Sequence, residues 1–151
     1  LDYRDGALAC ADEREAVVRV LAVVRALRPQ VLLTWPAHGL SGHPDHMAVS
    51  RWARLVFERA SALGGDAPAA LYHMAVPHSL AAAMALPDLH AVADEEITLA
   101  VDVSPVLEEK MAAICCHRTQ MGVAHCDRAP GAAAPLSRHR ALSASGDGGG
   151  P

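Results

Sequence analysis

A short segment near residue 40 concentrates the side chains that could carry out metal or acid–base chemistry. His38 is followed by a cluster in which His43 and His46 flank Asp45. Imidazole is the commonest neutral ligand of divalent zinc, and a nearby carboxylate orients an imidazole ring or adjusts its basicity. A helix that begins at Pro44 would place both flanking histidines near one face of its first turn. The segment therefore indicates a zinc site, and the alternative is a polar loop whose histidines only precede and cap a helix.

The elements around this segment predict an α/β fold with a parallel sheet. Residues 12–27 form an amphipathic pattern with acidic residues in the first turn, which predicts a helix ended by Pro29. The apolar run 31–35 predicts a buried parallel strand, and a second helix is expected from Pro44 to Gly64. Ligands bind beyond the carboxyl ends of parallel strands, so the loop between these two elements is the expected place for chemistry.

The rest of the chain continues the alternation of helices and strands and then changes in composition. Strands are predicted near 69–74 and 96–103 and helices over 79–84 and 105–121, the last with Ser104 as N-cap and Glu108 near the capping-box position. From residue 129 the chain consists mainly of Ala, Gly, Ser, Pro and Arg with little periodicity. We therefore expect one domain over residues 1–128 and a low-complexity, disordered tail over 129–151.

Composition excludes several classes of protein. With 20% charged residues and a net charge of −4, the chain has no basic surface of the kind that binds nucleic acid, and 52% hydrophobic residues argue against wholesale disorder. No apolar run reaches the ~18 residues that span a bilayer, and no signal peptide is visible. The four cysteines are spaced unlike a disulfide framework. We expect a cytoplasmic protein with reduced thiols that does not bind nucleic acid.

A second group of potential metal ligands lies late in the sequence. Cys115, Cys116 and His117 are followed by His125 and Cys126. Adjacent residues on a helix diverge by about 100°, so the two neighbouring thiols cannot both face one ion. Buried unreactive cysteines are therefore the preferred interpretation over a metal site.

The remaining candidates have ordinary structural interpretations. His73, His78 and His90 stand singly in the sequence and are expected in structural or surface roles. Trp35 ends the strand before the histidine segment and is expected in the core rather than as a platform for substrate. Asp102 lies near the end of a predicted strand, where turn or capping roles are common.

The histidine segment also carries a family resemblance. Gly42-His43-Pro44-Asp45-His46, together with the preceding residues 27–34, resembles the second signature of the LmbE-like (PIG-L) deacetylases. Three further segments are similar to parts of that family in the same order, namely residues 3–6, 101–104 and 110–120. Under this resemblance His117 and Gln120 face either the active-site cleft or the solvent.

The resemblance implies a specific chemistry. The family consists of zinc-dependent enzymes that remove acyl groups from N-acylated glucosamine conjugates, with a three-layer Rossmann-like fold. Residue by residue, it implies that His46 binds zinc or another divalent metal and that His43 stabilises or protonates the tetrahedral intermediate. It also implies that Asp45 tunes a histidine without binding the metal.

One departure from the family pattern limits what this chain is expected to do. The family's other two zinc ligands and its general base lie in an earlier His-Pro-Asp-Asp motif, which does not occur in this sequence. A catalytic zinc site normally needs three protein ligands. We expect a fragment that lacks its first strand or strands, binds zinc weakly and does not hydrolyse amides. The alternatives are a non-catalytic remnant and a small α/β binding module without a working metal site.

Overall fold

A computed structural model describes residues 1–83, 85 and 88–117 with their side chains, and the backbone of residues 140–144. Its first compact unit comprises Leu1–Leu99 together with the strand residues from Ala141, and its second begins at Ala100. The first unit contains the histidine segment between a strand and a helix. It combines helices with a pair of parallel strands. The predicted α/β class is therefore confirmed.

Helix α1, Glu13–Leu27, has clear local causes at both ends. The Asp12 carboxylate accepts a 2.8 Å hydrogen bond from the backbone N–H of Glu15, which satisfies one of the unpaired amides of the first turn. At the other end Arg28 adopts the left-handed conformation, with φ of 48°, and Pro29 cannot continue the helix. The helix predicted over residues 12–27 is therefore confirmed.

The strands of the sheet bring together residues that are far apart in the sequence. Strand β1, Val31–Thr34, pairs in parallel with β2, Ala70–Ala75, in a register that aligns Thr34 with His73. Strand β4, Arg140–Ala144, pairs antiparallel with the other side of β2. The sheet is therefore mixed rather than purely parallel. This strand lies inside the segment expected to be a disordered tail, whose other residues are outside the described part of the chain.

Helix α3, Pro44–Leu63, forms the core with α1. Its Ala48, Trp52 and Val56 recur every four residues and are buried against Ala16, Val17 and Val24 of α1, with Leu32 of β1 packed on the same cluster. The side chains of a strand alternate between its two faces, so the neighbours of Leu32 point away from α3. These neighbours, Val31 and Leu33, are 49% and 55% exposed.

Smaller elements complete the first unit. Residues Gly39–Gly42 form a single turn, α2, directly before α3, and His78–Ala83 form the short helix α4 after β2. A 3₁₀ turn at Leu8–Cys10 precedes α1, and another lies at Asp94–Glu96. The strand predicted over 96–103 is shorter in the structure, where β3 covers Leu99–Val101, and only Leu99 of it belongs to the first unit.

The second unit contains the late helix. A 3₁₀ turn, Ser104–Val106, leads into α5, Leu107–Cys115. The expected Ser104 cap is wrong, because the residue before α5 is Val106, which has no capping side chain. Instead the Ser104 N–H donates to the Asp102 carboxylate at 2.9 Å, the turn role expected for this aspartate. None of the helices in the described part of the chain is long and apolar enough to cross a membrane.

Candidate active site

The loop between β1 and α3 has an unusual backbone that places its histidines. Gly39, Leu40 and Gly42 all have positive φ, at 67°, 68° and 74°. Gly39 is also tightly enclosed, because a Cβ atom there would lie 3.0 Å from the Met47 side chain and 3.2 Å from Cβ of His46. A non-glycine residue such as Leu40 is strained in this region and persists only where its surroundings hold it.

One such support comes from a distant segment. The His90 N–H donates a 2.7 Å hydrogen bond to the Leu40 carbonyl. The His90 ring also stacks on that of His38, with 5.0 Å between the ring centroids. These two contacts fasten the chain after α4 to the histidine loop, so His90 is not the isolated histidine that its sequence position indicated.

His43 acts as the N-cap of α3. Its Nδ1 accepts a 3.2 Å hydrogen bond from the backbone N–H of Asp45. A backbone amide can only donate, so Nδ1 carries no proton and a neutral His43 carries its proton on Nε2. The side chain lies at an exposed position at the mouth of the loop. It therefore offers an N–H donor to a molecule that approaches the loop.

His46 has the opposite tautomer. Its Nδ1 lies 3.0 Å from the carbonyl oxygen of Gly39, which can only accept, so Nδ1 carries the proton. The Nε2 atom of the neutral ring then keeps its lone pair. The ring is half-buried and stacks in parallel on Trp35, with 3.9 Å between centroids and 3° between planes. An imidazole that donates one N–H to a backbone carbonyl while its other nitrogen is unprotonated has the arrangement typical of metal ligands.

Asp45 is buried, unlike these two histidines. Its carboxylate accepts hydrogen bonds from the backbone N–H groups of Gly6, at 2.7 Å, and Leu8, at 3.0 Å. It also lies in the first turn of α3, where the helix dipole favours a negative charge. Its link to His43 runs through its backbone N–H. The role that the family resemblance gives its carboxylate, tuning a histidine, remains a prediction.

His38 is the group in this loop with a shifted pKa. Burial lowers the pKa of His38 below its ordinary value of 6.5, and the neighbouring charge of His90 lowers it further. Its Nδ1 is buried and has no hydrogen-bond partner within the described structure. His38 is therefore held in its neutral form more strongly than an exposed histidine.

A further histidine reaches the same edge of the sheet. His73 of β2 has its Nδ1 2.9 Å from the carbonyl oxygen of Trp35. Its sequence position indicated only an ordinary role, yet the parallel register that aligns it with Thr34 places it directly beside the histidine loop. The position of His73 beside the loop depends on the pairing of β1 with β2. The residue pattern of a single strand does not reveal that pairing.

The described residues provide only part of a metal-binding site. Over residues 1–83, 85 and 88–117, no three histidine, cysteine, aspartate or glutamate side chains form a group that could hold a metal ion. This covers the described part of the cysteine-rich group, whereas His125, Cys126 and Gln120 lie outside it. His46 therefore fits the requirements of one metal ligand, and the residues described with it do not supply a set of three.

A family sequence model covers the segment that contains this loop. The sequence model of the family PIG-L, described as GlcNAc-PI de-N-acetylase, matches residues 1–57. The matched segment includes Asp45, the peptide segment that Asp45 binds, and both flanking histidines. This match covers the first 57 of the chain's 151 residues. The predicted resemblance is therefore confirmed.

Several curated relatives share one printed name, 1D-myo-inositol 2-acetamido-2-deoxy-alpha-D-glucopyranoside deacetylase. The protein from Thermomonospora curvata is 33% identical over 139 residues, covering 76% of this chain and 46% of the relative. That from Streptomyces avermitilis is 34% identical over 151 residues, covering 81% of this chain and 50% of the relative. That from Salinispora arenicola is 41% identical over 70 residues, covering 46% and 22%.

The matched regions cover only part of each relative. The chain spans about half the length of the first two relatives, 46% and 50%. The relatives are deacetylases of an N-acetylglucosaminyl-inositol according to their names.

Proposed function

We propose that this chain forms part of a metal-dependent de-N-acetylase that acts on an N-acylated glucosamine conjugate. The observation that carries the proposal is the hydrogen bond from Nδ1–H of His46 to Gly39, which leaves Nε2 as an unprotonated donor for a metal ion. The names of the relatives support the amino-sugar substrate. Zinc is the proposed ion, and another divalent metal would use the same nitrogen.

The proposed roles follow from the two tautomers. A bound zinc ion supplies polarisation of the amide carbonyl and a nucleophilic water at neutral pH. His46 would hold the ion through Nε2. His43 presents an Nε2–H donor beside it, 4.6 Å away between ring centroids, and can stabilise or protonate the amide oxygen as negative charge develops there. Asp45 keeps His43 in this tautomer through its backbone N–H.

We further propose that this chain alone binds zinc weakly and does not hydrolyse amides. A catalytic zinc site uses three protein ligands, and the described residues provide one in the required arrangement. The same observation favours the alternative of a non-catalytic module. The two functions differ in whether His46 contributes to metal affinity at all.

The three-layer Rossmann-like architecture also remains a proposal. Val31 and Leu33 leave an apolar surface on the face of β1 opposite α3. A third layer of helices on that face would cover both side chains, as in folds with helices on both sides of a sheet.

We also propose a location in the cytoplasm. The thiols of Cys10 and Cys116 are free, and disulfides are rare in cytoplasmic proteins.

Calorimetric titration with zinc tests the ligand. His46→Ala should abolish the weak zinc binding, whereas His78→Ala, which removes an exposed imidazole outside the loop, should preserve most of it. Equal zinc affinity in the His46→Ala variant would contradict the proposed ligand and favour the binding module.

An amine-release assay tests the second half of the proposal. The 151-residue chain, supplied with zinc and an N-acetylglucosaminyl-inositol, should release no amine above the rate of the His46→Ala variant. Clear turnover, or zinc affinity of nanomolar order, would show that the chain is active by itself.

A further inference from the structure

Trp35 occupies a position with consequences for the metal ligand. It follows the last residue of β1, and its indole lies against His46 with only 3° between the two ring planes. Stacked rings at 3.9 Å between centroids are in van der Waals contact over most of their faces. The sequence favoured a core role for this tryptophan, whereas the structure places its ring on the proposed ligand.

Two contacts restrict the His46 ring in different ways. The Gly39 carbonyl determines which nitrogen carries the proton, because a half-turn of the ring about its Cβ–Cγ bond would remove the 3.0 Å hydrogen bond. The indole does not oppose such a half-turn, since the ring would return to the same plane. It does oppose tilting, which would break the stacked contact. Together the two contacts restrict the direction of the Nε2 lone pair more than either does alone.

The backbone of Trp35 is held by the sheet. Its backbone carbonyl accepts the 2.9 Å hydrogen bond from His73 Nδ1, and Thr34, the residue before it, is paired with His73 in the β1–β2 register. Pro36, the residue after it, is buried. The orientation of the His46 ring therefore depends on the parallel strands, through Trp35, as well as on its own helix α3.

We propose that Trp35 is a positioning residue that holds the imidazole plane of His46 so that Nε2 is directed at a bound metal ion. The inference rests on the proposed function in taking His46 as a metal ligand. A ligand already held in its binding orientation loses less conformational freedom when the metal binds. Loss of groups that orient a metal-binding histidine lowers metal affinity by about tenfold or more. The indole would supply this orientation without touching the metal.

The orientation can be measured on the 151-residue chain without metal. Nuclear magnetic resonance of the histidine rings should show the His46 ring protons shifted upfield by the indole, and its nitrogens in the Nδ1–H form. Trp35→Phe keeps an aromatic face and should retain part of the shift and the tautomer. Trp35→Leu should lose the shift and allow the ring to tilt, while the Gly39 carbonyl keeps the Nδ1–H tautomer. The indole signal of Trp52, buried in the α1–α3 core, shows whether each variant is folded.

The consequence for metal binding is measured next, through the zinc-induced shifts of the His46 ring. We expect Trp35→Leu to weaken zinc binding at His46 about tenfold and Trp35→Phe to weaken it less. Unchanged zinc affinity in Trp35→Leu, alongside lost binding in His46→Ala, would overturn the inference and leave the proposed function intact. Unchanged binding in His46→Ala would overturn the proposed function itself. A wild-type His46 ring without the upfield shift would overturn the inference regardless of metal.

Discussion

The Asp45 carboxylate and the backbone N–H of Gly6 form a 2.7 Å hydrogen bond although they are 39 residues apart. Leu8 donates to the other carboxylate oxygen at 3.0 Å. One buried side chain therefore joins the segment before α1 to the first turn of α3. The residue next to the proposed metal ligand therefore joins the beginning of the matched family segment to its histidine loop.

Removing this charge should destabilise the fold. Asp45→Asn keeps the shape, but its amide nitrogen is a donor and cannot accept from both Gly6 and Leu8. A buried donor left unpaired costs about 1–3 kcal/mol of the free energy of unfolding. Urea denaturation measures this loss. Asp66→Asn is the matched control, since Asp66 forms an exposed 3.1 Å ion pair with Arg28, and it should cost about 0.5 kcal/mol or less. Equal losses in the two variants would contradict the role of Asp45.

Two glycines of the histidine loop should respond differently to alanine. Both Gly39 and Gly42 have positive φ, so each substitution introduces backbone strain of about 1 kcal/mol. At Gly42 the new Cβ meets no atom within 4 Å, whereas at Gly39 it would press on Met47 and His46. Gly39→Ala should therefore cost about 1–3 kcal/mol more than Gly42→Ala in the free energy of unfolding. Ring resonances of His46 should move in Gly39→Ala alone, and a similar cost for both would contradict the close approach.

The lowered pKa of His38 predicts a pH dependence of stability. Because its pKa is lower in the folded state than the ordinary 6.5, the unfolded chain binds the proton more readily. The contribution of neutral His38 to the free energy of unfolding is thus fully present above pH 6.5. It is lost as the pH falls through that value towards the pKa of the folded state. His90→Ala removes the second cause of the shift, so the pKa of His38 should rise while remaining below its ordinary value. Ring-proton titration by nuclear magnetic resonance measures both, and a pKa unaffected by His90→Ala would contradict the electrostatic contact.

Neighbouring valines on α1 should differ sharply in their cost. Val17 is fully buried against α3, whereas Val18 is 60% exposed. Val17→Ala removes buried methyl groups and leaves a cavity, which should lower the free energy of unfolding by about 1.5–3 kcal/mol. Val18→Ala should change it by about 0.5 kcal/mol or less. Urea denaturation of the two variants compares them directly, and losses of similar size would show that α1 packs through a different face.

The local parts of this fold were predictable from the sequence. The Asp12 cap and Pro29 delimit α1, and Pro44 marks the beginning of α3, because these signals act within a few residues of the helix ends. The location of the candidate site after β1 was also predictable, since it follows from where parallel strands end. The end of β3 was harder to predict, because Val101 belongs to an apolar run of which only part is a strand.

The contacts that orient the site residues could not be predicted from the sequence in the same way. The pairing of Trp35 with His46, the support of Trp35 by His73 and the hydrogen bond from His90 to Leu40 depend on how distant elements meet. A periodicity over one helix or strand contains no information on which segment packs against it. The roles that the family resemblance assigns to His43 and His46 stay predictions, although both tautomers suit them.

The hydrogen bond between His46 and Gly39 also affects how metal ions change the stability of the chain. In the unfolded chain all nine histidines can bind metal from either nitrogen. Added zinc therefore shifts the folding equilibrium only by the difference between its affinity for the folded site and for these competing imidazoles. Because folding presets one ligand among the described residues, whereas unfolding frees every imidazole, the melting temperature should rise little with zinc and can fall. A thermal-shift screen would then score as negative a folded chain that does bind the ion.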